Sequence, residues 1–166
     1  MKCKGIFALV LIFVASLFTI TSAEQEQLAS AYVKADLKGK IVCQVTIDLT
    51  DRWSVRFEPS TIYLYDHAFD PAEVGLLDYA AFVSLCTKED YDSTLEEWAK
   101  DGTEYEERKG YIVAPCWDDM TQYIKPIDEE VYLQVIIFNT ANAEDVLARI
   151  VSCERKVYTE PVEESE

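Results

Sequence analysis

One histidine serves the whole chain. His67 stands in the stretch Thr61 to Glu73, TIYLYDHAFDPAE, with Asp66 beside it and Asp70 three residues on. A Ser, His and acid arrangement, or a Cys with a His base, would have to use this imidazole, because a weak nucleophile needs an adjacent base. Two features argue against that use. Neighbouring residues on a strand point to opposite faces, so Asp66 is badly placed to orient the ring, and no G-x-S-x-G elbow is present to present a serine. His67 reads as a turn or surface residue, and no catalytic residue is assigned. The chain is expected not to be an enzyme.

Carboxylates are the other chemical resource, with 31 Asp and Glu against 15 Lys and Arg. Close pairs such as Glu96-Glu97 and Asp118-Asp119 arise in such a composition without selection for acid–base work. A glycosidase would further need two of them held across a cleft. The run EDYDSTLEE at Glu89 to Glu97 offers oxygen ligands but lacks the glycine that an EF-hand loop needs for its sharp turn. No metal and no cofactor are assigned. A net charge of −16 argues against a phosphate-backbone ligand, since nucleic-acid binding needs a basic surface that displaces counterions.

Five cysteines remain. Cys3 lies in a stretch with the features of a secretory leader: Lys2 and Lys4, an apolar run from Ile6 to Phe18, and the small residues Thr21-Ser22-Ala23. The reading is a signal peptide over 1–23, a mature start at Glu24, and a secreted, extracellular product with no membrane insertion after cleavage. That leaves Cys43, Cys86, Cys116 and Cys153, an even number without a CxxC pair. In an oxidising compartment they point to two disulfides and away from a zinc site. Spacing cannot choose among three connectivities. The pairing expected is Cys86 with Cys116 and Cys43 with Cys153.

The elements that would carry these residues are mostly strands. In KIVCQVTIDLT, Ile41, Cys43, Val45, Ile47 and Leu49 alternate with mainly polar neighbours, the pattern of a half-buried strand. RWSVRFE repeats it, with a hairpin turn expected at 49–52, and TIYLYD follows. YAAFVSLCT, GYIVAPC, VYLQVIIFNT and IVSCERKVYT complete the set, and Val131 to Phe138, apolar on both faces but for Gln134, is the candidate central strand. Short helices are expected at DPAE (70–73), at STLEEWAKDG with Ser93 or Thr94 as cap, and at NTANAEDVLAR. The fold class is all-β: an antiparallel β-sandwich of transthyretin or immunoglobulin-like architecture with two or three short helices. One domain spans 24–158, with an acidic excursion at 88–109 and a disordered acidic tail at 159–166.

Within the excursion, Tyr91, Leu95 and Trp98 fall at helical spacing, a stripe that fits docking on the protein's own sheet. Together with Tyr105 they are also the candidate contact surface. Tyr63, Tyr65 and Trp117 are further aromatics able to line a pocket or a protein-binding patch.

Three motifs, GKIVC at Gly39 to Cys43, YLYD at Tyr63 to Asp66 and DPAEVGLL at Asp70 to Leu77, resemble the start of the nematode transthyretin-like secreted proteins. The resemblance spans about residues 37–77. It implies an exported transthyretin-like sandwich with Cys43 in a disulfide and no known enzymatic role. The glycine-containing turn that follows in that family is replaced here by DYAAFVSLCTK. The 5-hydroxyisourate hydrolases of the wider fold use several histidines and a C-terminal Y-R-G-S motif, which this chain lacks. The function expected is that of an extracellular binding or interaction protein with an unknown protein partner. The alternative is a carrier of a small apolar ligand in an aromatic-lined cavity between the sheets.

Overall fold

A computed structural model describes residues 27–35, 40–50, 52–67, 79–117 and 119–157. The leader at 1–23, Gly39, the DPAE turn and the rest of 70–77, and the tail at 159–166 lie outside the described residues.

The chain forms two antiparallel sheets. The smaller has the order β1-β2-β10, from Leu28–Lys34, Val42–Asp48 and Ile150–Lys156. The larger has the order β3-β4-β5-β9-β8-β7-β6. Its strands are Ser54–Phe57, Thr61–Tyr65, Ala81–Thr87, Val131–Ile137, Met120–Pro126, Tyr111–Trp117 and Glu106–Arg108 in that spatial order. The strand expected to be central, β9, is the fourth of these seven. The fold is an all-β sandwich.

The alternation in β2 has its expected effect: Cys43, Val45 and Ile47 turn inward and are fully buried. Against them pack Ile62 and Leu64 of β4, Val83 of β5, and Leu133, Val135 and Ile137 of β9, each no more than 1% exposed. This single cluster is the dominant stabilising term, because each such side chain contributes roughly 1.5–3 kcal/mol on removal from water. The hairpin expected at 49–52 does not form. β2 and β3 belong to different sheets, so that junction crosses from one layer to the other.

Helix α1, Lys88–Asp101, continues directly from β5. Its cap is Thr87, in place of the expected Ser93 or Thr94. The Asp90 backbone N–H donates to Thr87 Oγ1 at 3.2 Å and the Thr87 N–H donates to Asp90 Oδ2 at 3.0 Å. The two bonds make a capping box, which satisfies two orphan donors of the first turn. Gly102 ends the helix in the left-handed conformation at φ 71°. A residue with a Cβ would be strained there. A 3-10 turn, Thr140–Asn142, leads into α2, Ala143–Arg149. Ala143 and Val146 of α2 belong to the same core cluster as Tyr111, Val113 and Tyr123 of β7 and β8. Arg149, at the end of α2, reaches Asp48 Oδ2 at 3.3 Å and so fastens α2 to the end of β2.

Candidate functional site

His67 follows β4 and is exposed. Its Nδ1 lies 3.4 Å from Asp66 Oδ1, and its ring meets the buried Tyr65 edge-on. The Ser54 hydroxyl donates at 2.7 Å to the His67 backbone carbonyl, not to the imidazole, so serine and histidine are not arranged as nucleophile and base. In the acidic run, Asp90 is committed to the helix cap and Asp92 to an ion pair with Lys88. Among the described residues, no group of three or more His, Cys, Asp or Glu side chains is placed to hold a metal ion.

The helical stripe of α1 packs on the protein's own sheet, the docking its spacing suggests. Tyr91, Leu95 and Trp98 face the outer side of the larger sheet. Trp98 is 8% exposed among Cys86, Ala114 and Ile124, and the Tyr91 ring stacks on Tyr132 at 4.1 Å and 7°. The helical stripe is a docking face because those strands offer apolar side chains on that side. Of the four nominated residues only Tyr105 is exposed, at 52%, with its ring 5.6 Å from that of Trp98. Tyr63 belongs to a half-buried group with Tyr79, Phe82 and Phe138 on the same outer face, under the Arg56 guanidinium at 4.4 Å.

Tyr105 borders a groove of about 350 Å³ that sequence reasoning did not foresee as a site. Its floor is Val113 and Pro115 of β7 and Tyr123 of β8, and its walls are Glu104, Glu106 and Arg108 on one side and Thr121 and Thr140 on the other. Each wall is fixed by local chemistry. The β6–β7 turn uses Lys109 and Gly110 at φ 53° and 80°. Two successive left-handed residues make the tight hairpin turn that matches strand twist. Lys109 then ion-pairs with Glu144 of α2, holding the hairpin against that helix. On the far wall the Thr140 hydroxyl donates to the Asp119 carbonyl at 3.3 Å and accepts from Thr121 Oγ1 at 2.8 Å. The Asn139 side chain accepts from the Ala141 N–H at 3.0 Å and starts the 3-10 turn. Trp117, two residues beyond Pro115 on β7, is 71% exposed.

The groove is acidic as well as apolar. Arg108 pairs with Glu106 and Lys109 with Glu144, so both cations are neutralised, whereas Glu104 makes no ion pair among the described residues. Burial raises the Tyr123 phenol above its ordinary pKa. Arg108 lowers it, and Glu144 and Glu106 raise it, placing both carboxylates within electrostatic reach of the groove floor.

The four cysteines separate into one pair and two single thiols. Cys43 and Cys153 lie on the neighbouring strands β2 and β10, with Cys153 opposite Val45 and Cys43 opposite Arg155. Both are free thiols in this structure, and each acts on the other so that the pKa of Cys43 is lowered and that of Cys153 raised. The expected bond between Cys86 and Cys116 is contradicted. Both lie on the larger sheet, but β9 and β8 separate their strands, and Cys86 sits level with the opposite end of β7. At strand spacings of about 4.8 Å and about 3.3 Å per residue they are on the order of 20 Å apart, far beyond disulfide reach. Cys86 is buried under α1, and burial, with Asp90 nearby, pushes its thiol up to about 12.

A second, smaller cleft of about 210 Å³ runs beside β10, lined by Tyr111, Lys125, Ile127, Leu133 and Cys153. It gives solvent a route to the Cys153 side of the cysteine pair. No family model, no curated protein and no solved structure matches this chain, so the transthyretin-like resemblance rests on its quoted motifs alone.

Proposed function

We propose that the protein is an extracellular binding or interaction module whose sandwich is the scaffold and whose contact surface is the groove bordered by Tyr105, with Trp117 beside it. One contrast carries this reading. The core cluster between the sheets is made of side chains with 0–8% exposure, while Tyr105, exposed at 52%, borders an open groove and Trp117, exposed at 71%, stands two residues beyond Pro115 of its floor. Exposed aromatics supply large contact area at small entropic cost and anchor many interfaces. The carrier alternative needs an apolar space between the sheets, and the cleft beside β10, about 210 Å³, is smaller than the groove and has Lys125 in its lining. A Tyr105→Ala, Trp117→Ala double variant is expected to lose the protein that the wild type captures from the producing organism's extracellular fluid, with its thermal midpoint unchanged. An apolar fluorescent dye is expected to show no saturable site on the wild type. Equal capture by both forms, or one-site dye binding, would turn the reading toward the carrier.

The same reading includes a covalent tie. In an oxidising compartment Cys43 and Cys153 join β2 to the final strand, each losing its proton as two electrons pass to a disulfide-bearing oxidant. The bond closes a loop of more than a hundred residues, and its reduction is expected to lower stability by about 2–4 kcal/mol. Peptide mapping without reductant is expected to link the Cys43 and Cys153 peptides and to leave Cys86 and Cys116 alkylatable after denaturation. A Cys86–Cys116 link, or four free thiols in the secreted protein, would overturn this part.

A further inference from the structure

The groove beside Tyr105 has a shape and a charge that select among partners. Its floor of Val113, Pro115 and the Tyr123 ring is apolar, and its near wall carries Glu104 and Glu106. Glu144 of α2 acts on the same floor tyrosine. The cations on this side, Arg108 and Lys109, are each paired with a carboxylate, which leaves Glu104 as the charge without a counterion among the described residues. An occupant that suits all of these features has an aliphatic stem and a positive head.

We propose that the groove receives a lysine or arginine side chain presented by a basic segment of a protein partner. The stem lies along Val113, Pro115 and Tyr123, as long basic side chains lie along apolar surface. The head reaches Glu104 and Glu106 and stacks beside the Tyr105 ring, where a cation is attracted by the π face. The volume of about 350 Å³ accommodates one such side chain and part of its backbone. The Thr121 and Thr140 hydroxyls on the opposite wall are within the same groove and offer hydrogen-bonding capacity to that backbone. The strongly acidic chain, at −16, steers a basic partner toward every face, so long-range attraction alone does not define the site. What defines it is the coincidence of a carboxylate without an ion pair among the described residues, an apolar floor and an exposed ring.

The inference rests on the binding-module reading and names the partner chemistry. The test titrates the full chain with an end-blocked pentapeptide carrying a central lysine or arginine, and with its norleucine counterpart, following the backbone amides of Tyr105, Thr121 and Thr140 by NMR. The basic peptide is expected to shift these amides in a saturable way and to bind at least about tenfold more tightly than the norleucine peptide, a difference of roughly 1.4 kcal/mol. Glu104→Gln with Glu106→Gln is expected to weaken binding about tenfold, the second change also freeing Arg108 to repel the ligand. Glu129→Gln, in the exposed β8–β9 turn, is the control for overall charge and is expected to change nothing. Three outcomes overturn the proposal: equal binding of the norleucine peptide, an equal loss in Glu129→Gln, or no saturable shift with the basic peptides. If the peptides fail while the Tyr105→Ala, Trp117→Ala variant still loses its captured partner, the binding module stands and its partner is not basic.

Discussion

Replacing Trp98 with alanine is expected to lower the free energy of unfolding by about 3–5 kcal/mol, the range for truncating a buried aromatic. Trp98 is the most buried residue of α1 and the place where that helix meets Cys86, Ala114 and Ile124 across three strands of the larger sheet. Its ring also supports Tyr105, so the loss propagates to one side of the groove. Urea unfolding followed by far-UV circular dichroism measures the change. The competing account, in which Tyr91, Leu95 and Trp98 form an exposed contact stripe, expects stability within about 0.5 kcal/mol of wild type, as for surface substitutions generally. A midpoint unaltered by the substitution would therefore return α1 to the set of contact surfaces. A lowered midpoint with partner capture intact would assign Trp98 to the scaffold alone.

Strands with one wet face were legible in the sequence because burial on one side leaves a period of two. β2 shows it, and β9 stood out as central because both of its faces are covered, by the core on one side and by Tyr91 of α1 and neighbouring aromatics on the other. The strands that were missed lack that imprint for identifiable reasons. In β1 the outward residues include Leu28 and Tyr32, at 54% and 61% exposure, while Ala29 and Ala31 are the more covered, so its alternation by residue size is inverted. β8 carries Thr121 and Tyr123 toward the core and the buried Gln122 on the other face, so polarity does not track burial. β6 is three exposed charged residues whose strand character comes entirely from pairing with β7.

The groove was hidden for a related reason. Glu104, Thr121 and Thr140 come from connections and an overlooked strand, and only the fold brings them together; of its lining residues Tyr105 alone had a sequence signal. The cysteines divide along the same line. Cys43 and Cys153, expected as a bonded pair, lie on adjacent strands as free thiols, while Cys86 with Cys116 failed because the intervening chain builds a helix and a hairpin that carry its ends apart.

Leu133→Ala probes the interior from the side where it lies nearest to solvent. Leu133 is 1% exposed at the centre of β9, between Leu85 of β5 and Lys125 of β8, and it also forms the back wall of the cleft beside β10. Truncation is expected to cost about 2–5 kcal/mol, the transfer of the lost atoms plus the space left behind. That space would be walled on its inner side by the apolar core and adjoin the cleft lined by Tyr111, Lys125, Ile127 and Cys153, and apolar-walled space of this kind takes up small apolar molecules. Benzene is therefore expected to raise the thermal midpoint of Leu133→Ala and to leave that of the wild type unchanged, because only a ligand that binds the native state selectively stabilises it. Stabilisation of the wild type itself would mean that the sheets already enclose usable space, and would favour the apolar-ligand carrier over the groove-based module. A response confined to the variant ties the protein's recognition to its surface, where Glu104, Tyr105 and Trp117 lie.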